Sequence, residues 1–312
     1  MTTSAAEFGI ALPQVYLDEA IDPAGIGHFA ARAEVLGYNG LWTQDQLIGA
    51  AATLDAVSLL SYVAARTQKI RLGVSVLVLP NRTPVPLAKS LATLDCLSAG
   101  RLDVGLGLGN PHPHAQSLGL QGTRGERLTR FREGLAVMKG LWSDGPATVH
   151  SAHWPLEAAP MAPKPVQRPH PRLWFGGRHV NAIRRAVAEA DGWMGAGSST
   201  TEDFFEQRAL VAEALDAAGR DPETFRIAKR LYLALDNNEQ RAEGRLRSWF
   251  DRYYGSADLA SRVSVWGPPS KIADTVGRIT AAGAEMVLLN PVFDYPMHQE
   301  SLSDLLIAAR ET

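Results

Sequence analysis

The chain has 312 residues, of which 46% are hydrophobic and 21% charged, and a formal net charge of −2. That composition suits a soluble globular protein with a sizeable core, and its near-balanced charge excludes a general attraction to nucleic acid or to anionic membrane. Cys96 alone cannot form an internal disulfide, no stretch approaches the roughly 20 apolar residues of a membrane helix, and no secretory signal opens the chain, so the cytoplasm is the expected compartment.

Taken in chain order, residues 8–12 form a short apolar run, the first expected strand. Asp22 and Pro23 supply an N-cap and a first-turn proline, Ile26, Phe29, Ala33 and Leu36 follow at helical spacing, and Gly37 stops the helix. Residues 40–43 read as a strand and 54–66 as a helix. The run 70–79 is β-branched and continuous, as a strand buried on both faces requires. A helix over 87–97 and a strand over 101–108 come next. Leu128, Phe131, Leu135, Met138 and Trp142 then mark one face of a further helix. Cys96 sits among leucines and reads as a small buried hydrophobe.

At about 145–172 the rhythm breaks in a segment rich in proline, predicted to be an irregular insertion. Alternation resumes with strand 173–175, helix 181–190, strand 193–196, a long helix ending at Gly219, and strand 225–235. A helical stretch over 238–262, a helix over 271–282 and strand 285–289 complete the series. Eight strands alternating with helices predict one α/β domain over 1–312, a (β/α)8 TIM barrel with insertions.

In such a barrel the functional residues stand at the C-terminal ends of the strands. That rule selects Asp45 and Gln46 after the second strand, and Ser75 and Val76 in the third. It also selects Gly107, Gly109 and Asn110 after the fourth, Gly176, Gly177 and Arg178 after the fifth, and Gly195 and Ala196 after the sixth. Three glycine-rich strand ends suggest close backbone approach to a large ligand. The fourth-strand glycines do not make a dinucleotide fingerprint, because the spacing from Gly105 reaches Asn110 and from Gly107 reaches His112. His112 and His114 lack a third ligand, so no metal is expected. Trp154, Met161 and Trp174 are candidates either for a substrate mouth or for the core, and Asp95 and Asp103 belong to the opposite end of the barrel.

The stretch Ile70-Arg71-Leu72-Gly73, the run 79–84 (LPNRTP), the run 94–102 (LDCLSAGRL) and the glycine series through Gly109 resemble the luciferase-like monooxygenase superfamily. The likeness extends through Phe175-Gly176-Gly177 and Gly267-Pro268, nearly the whole chain. It implies a TIM barrel whose mouth binds coenzyme F420, a deazaflavin, or alternatively FMN, with hydride transfer or oxygen-dependent monooxygenation as the chemistry. Trp42-Thr43-Gln44-Asp45 is similar to the F420-dependent branch, and Ser75-Val76 resembles its non-proline cis peptide. The resemblance thus assigns Asp45 to positioning the cofactor or the reacting group, and implies a homodimer acting on a small-molecule substrate.

Two residues depart from that branch. Gln46 stands where histidine is common, and the segment from Pro111 to Gln116 replaces a usual glutamate. Glutamine does not titrate near neutrality, so hydride donation to an activated alkene, imine or similar acceptor fits better than alcohol oxidation. His112 is a candidate for the proton relay. The competing readings are an FMN-dependent monooxygenase fed by a partner flavin reductase, and a homologue that binds cofactor without turnover. A glycosidase is disfavoured because no second carboxylate joins Asp45 at the strand ends. An acidic cofactor tail calls for cations near Gly176, and Arg178, His179, Arg184 and Arg185 follow it, with Arg82 and Arg124 at other strand ends.

Overall fold

The structure, a computed structural model, describes residues 6–110, 114–119 and 123–310. Eight parallel strands close on themselves: β1 Glu7–Ala11, β2 Gly40–Thr43, β3 Arg71–Val78, β4 Leu102–Gly107, β5 Arg172–Gly176, β6 Gly192–Gly195, β7 Arg226–Leu235 and β8 Met286–Asn290. Each pairs with the next in chain order, and β8 pairs with β1 through Glu7 opposite Met286, so the barrel has no free edge. All eight expected strands are present, within a residue or two of the bounds read from apolar runs.

Helices cover the outside: α1 Pro23–Val35, α2 Ala56–Ala64, α3 Pro84–Leu97, α4 Arg124–Trp142, α5 Val180–Glu189, α6 Thr201–Ala218, α7 Glu239–Tyr254, α8 Ala257–Val263, α9 Pro269–Ala281 and α10 Tyr295–Arg310. Their ends follow local chemistry. Asp55 caps α2 by accepting from the Ser58 amide at 3.0 Å, and Thr200 with Asp203 makes a reciprocal cap on α6, which Gly219 ends in a left-handed turn. None of the described helices is long and apolar enough to cross a membrane.

Three features depart from the sequence reading. The expected helix over 238–262 is two helices, α7 and α8, followed by a short strand, Ser264–Gly267, that pairs parallel with the outer end of β7. The helix α10 has no counterpart in the expectation. The proline-rich stretch is not wholly irregular: Ala147–Val149 and Leu156–Ala159 form a small antiparallel hairpin. Asp95, fully buried on α3, anchors the rest of it by accepting from the Gln167 amide and side chain at 2.9 and 2.7 Å. Cys96 is half-buried, its thiol donating to the Lys164 carbonyl at 3.2 Å.

The barrel interior is layered. Its lower part holds Trp42, Trp174, Met194, Ala228, Met286 and Leu288. The two indoles meet edge to face at 6.3 Å, and a Cβ at Gly9, Gly40 or Gly73 would come within 2.5, 2.7 or 2.3 Å of Trp42, so three adjacent strands give up side chains to admit one ring. Trp174 is therefore core rather than mouth, and its indole donates to Asp103 at 3.3 Å.

Candidate active site

Alternation along the strands converts this apolar floor into a polar layer two residues further up. On β7 the inward positions run Ala228, Arg230, Tyr232; on β2, Trp42 gives way to Gln44; on β8, Leu288 gives way to Asn290. Arg230 ties the layer together. It donates to Asn290 Oδ1 at 2.8 Å, to the Ser75 carbonyl at 2.9 Å and to Gln44 Oε1, and its guanidinium lies 4.9 Å from the Tyr232 ring. Gln44 is held in turn by Gln14, through backbone contacts of 2.8 and 2.7 Å. Tyr232 donates to Gln44 Oε1 at 3.3 Å and shares a 2.7 Å hydrogen bond with the hydroxyl of Tyr254. Burial pushes the Tyr232 phenol well above its ordinary range. Beneath this layer Trp42, Gln44, Arg230 and Asn290 line a void of about 10 Å³, room for about one water.

The Ser75–Val76 peptide is cis, as the resemblance implied. The pairing of β3 with β4 breaks between Val74 and Leu77, making a bulge there. This bulge accounts for the glycine series. A Cβ at Gly107 would sit 2.5 Å from Val76 Cγ2, at Gly105 2.1 Å from the Val74 carbonyl oxygen, and at Gly176 3.2 Å from Val76 Cγ1. These glycines make room for the bulged strand. Gly195 faces Phe204 and Lys229, and Gly177 faces Ala182. Gly109, at φ 65°, offers its carbonyl to Arg127 at 3.2 Å.

Asp45 follows β2, but its carboxylate, 2% exposed, is committed within the protein. It accepts from the Val78 amide at 2.9 Å, and the guanidinium of Arg82 holds both of its oxygens. Arg82 also reaches Asp55 at 3.0 Å. Asp45 therefore braces the ends of β2 and β3; it is not a helix cap, and its oxygens are not presented to a reactant. Arg82 is thus shared between two carboxylates. Gln46 accepts from the Thr53 hydroxyl at 2.7 Å, on a two-residue strand that pairs with Val15–Tyr16 at the rim.

The remaining expected residues are spread around the same rim. Ala196 offers its carbonyl to Lys229, Asn110 is exposed, and Arg178 is exposed with one contact of 3.4 Å to the Ser198 carbonyl. His179 caps α5, accepting from the Asn181 amide, and Arg185 lies over the Phe131 ring. Arg184 lines a groove between α5 and α6. His112 lies outside the described residues, and among those described no cluster of His, Cys, Asp and Glu is fit to hold a metal.

Sequence reasoning missed three cations. Lys229, 1% exposed, points outward from β7 beneath the loop after β6 and donates to the Ala196 and Ser199 carbonyls at 2.6 and 2.8 Å. Burial lowers it to about 7, with Asp203 opposing and Arg230 and Arg178 reinforcing the shift. Arg230 is its neighbour in the barrel. Arg127, on α4, is 5% exposed, and its Nε has no partner among the described residues. Burial and the nearby Arg124 lower its pKa. The signal for the first two was available: paired cations inside a continuous apolar strand are rarely buried without purpose.

Known proteins resemble the chain as follows. The family model for luciferase-like monooxygenase matches residues 6–286. An F420-dependent glucose-6-phosphate dehydrogenase of Kineococcus radiotolerans is 30% identical over 241 residues, 74% of this chain and 70% of that protein. Among solved structures, an F420-dependent secondary alcohol dehydrogenase in complex with an F420-acetone adduct superposes with a TM-score of 0.85 at 19% identity, covering 98% of this chain and 100% of that one. A monooxygenase from Streptomyces bottropensis superposes at 0.81 with 22% identity, covering 97% and 99%. At those identities the two structures speak for the fold alone.

Proposed function

Because this chain belongs to the luciferase-like monooxygenase family, we propose that it is a coenzyme F420-dependent oxidoreductase that reduces a small organic acceptor. The observation that carries the cofactor assignment is the 30% identity, over 74% of the chain, to an F420-dependent dehydrogenase. The site agrees with an anionic cofactor on its own terms. Arg127, in the first turn of α4 beside Gly109, has a buried, unpartnered Nε and no carboxylate paired to it among the described residues, and a guanidinium so placed suits a phosphate or carboxylate.

The bound deazaflavin would supply the hydride. The protein's own groups bind, orient and exclude water. Arg127 would hold the acidic end, while Arg230 and the Ser75 carbonyl would line the floor. The Asp45–Arg82 brace keeps the ends of β2 and β3 in register. The residues at the second strand end support a reductive direction. Gln46 cannot accept a proton, and both oxygens of Asp45 are engaged by Arg82, so neither serves as a base for alcohol oxidation.

The test is equilibrium titration of apoprotein with F420 and with FMN at moderate and high salt. Tighter binding of F420, weakening as salt screens its acidic tail, is expected. Tight, salt-insensitive binding of FMN with no binding of F420 overturns the reading in favour of a flavin monooxygenase.

A further inference from the structure

Several partly buried arginines in this protein have opposite charges at hand. Arg71 and Arg172 share Asp103, Arg82 has Asp45 and Asp55, and Arg226 has Glu7 and Glu285. Arg101 donates to the carbonyls of Ala64, Thr67 and Ile70, with Glu34 close enough to favour its charge. Arg230 differs. It is 8% exposed and held only by neutral oxygens, those of Asn290, Ser75 and Gln44, with no ion pair among the described residues. A guanidinium stays charged inside a protein and has five N–H donors, of which three bonds account for three. Burying such a charge without a counter-charge costs several kcal/mol.

The identity of its partners sharpens the point. Gln44 and Asn290 are the amides of acids that would occupy the same space and neutralise the charge. The cation is thus left uncompensated in the layer directly above the apolar barrel floor, bonded to the carbonyl of the cis Ser75–Val76 step.

We propose that Arg230 builds an anion subsite at the floor of the barrel mouth, and that its ligand is the pyrimidine edge of the reduced deazaflavin in its deprotonated, negatively charged form. This rests on the F420 reading above. A fixed cation there favours the anionic reduced ring over the neutral oxidised ring, so Arg230 sets the difference in affinity between the two redox forms. Its effect is on the bound cofactor's potential and acidity, before any substrate arrives.

The experiment measures the dissociation constants of oxidised and reduced F420, without substrate, for the wild type and for Arg230→Gln, Arg230→Lys and Gln44→Glu. Thermal melting checks that each is folded. Gln44→Glu neutralises Arg230 without removing it and keeps the test valid where Arg230→Gln fails to fold. Both neutralising variants are expected to lose at least about tenfold more affinity for the reduced than for the oxidised form, which for a two-electron couple is about 30 mV lower potential. The absorbance of the bound reduced cofactor should show its deprotonation displaced to higher pH, and Arg230→Lys should restore most of the wild-type ratio. Equal losses for both redox forms mark Arg230 as merely structural and overturn the proposal. An unchanged ratio accompanied by a raised KM for an acidic substrate also overturns it, giving the charge to the substrate. If the wild type binds neither redox form, the F420 reading itself fails; if it binds both and the ratio does not move, only the subsite fails.

Discussion

Replacing Asp45 by asparagine separates two roles that the sequence left joined. The side chain keeps its shape, and the remaining amide oxygen can still accept from the Val78 amide, now at 2.9 Å. The other position becomes an NH2 facing the Arg82 guanidinium, donor against donor. Removing one member of a buried ion pair typically costs 3–5 kcal/mol because the other charge is stranded. Here two features reduce that figure: Arg82 keeps Asp55 at 3.0 Å, and its side chain is 15% exposed, so water reaches it. About 2 kcal/mol remains, roughly a thirtyfold change in the folding equilibrium. Urea unfolding followed by far-ultraviolet dichroism and by tryptophan fluorescence measures it, with coincident transitions as the control. A double-mutant cycle with Arg82→Gln should return a coupling of at least about 1 kcal/mol. If asparagine leaves stability within about 0.5 kcal/mol of the wild type while turnover collapses, Asp45 acts on the reacting group and the brace is wrong.

Three further outcomes are expected. Lys229 is held near 7 when folded against 10.5 as a free side chain, so between those values the unfolded chain binds more protons; stability should rise with pH across that window by up to about 1.4 kcal/mol per unit, and Lys229→Met should abolish the rise in urea midpoints taken at pH 7, 8 and 9. Gly107→Ala should lower the melting temperature, since its Cβ meets Val76 at 2.5 Å and overpacking costs about 1–3 kcal/mol, and adding Val76→Ala should recover most of it; no recovery would place the cause elsewhere. Arg127→Gln should weaken F420 binding and flatten its salt dependence, and an unaltered salt slope would remove Arg127 from the anion path.

The frame was legible in the sequence because strands buried on both faces must be continuous apolar runs, and runs such as 70–79 and 225–235 carry that demand locally. The parallel order followed from alternation alone, and so did the rim on which Asp45, Ser75, Gly109 and Gly176 stand. What was not legible depends on partners distant in the chain. Asp45 reads as a free carboxylate until Arg82, 37 residues later, is seen to hold it. Gly107 and Gly176 read as space for a ligand, and only the fold shows that the bulge at Val76 also lies against them. Nothing in a glycine states what displaced its side chain.

Arg230 is the opposite case, since its signal was local and was passed over. In a strand covered on both faces, every second residue enters the barrel, so the run Ala228, Arg230, Tyr232 declares, by residue type alone, a change of solvent along the axis. An apolar residue would have extended the floor set by Trp42 and Trp174 and sealed the barrel. An arginine at that height, with amides at Gln44 and Asn290 where acids would have fitted, keeps a positive charge above the apolar floor. The step from Ala228 to Arg230 is where the apolar floor gives way to polar side chains. A carboxylate introduced at position 44 would add one negative charge at almost no cost in volume, and the ratio of reduced to oxidised cofactor affinity would then report whether that charge had been left open for a ligand.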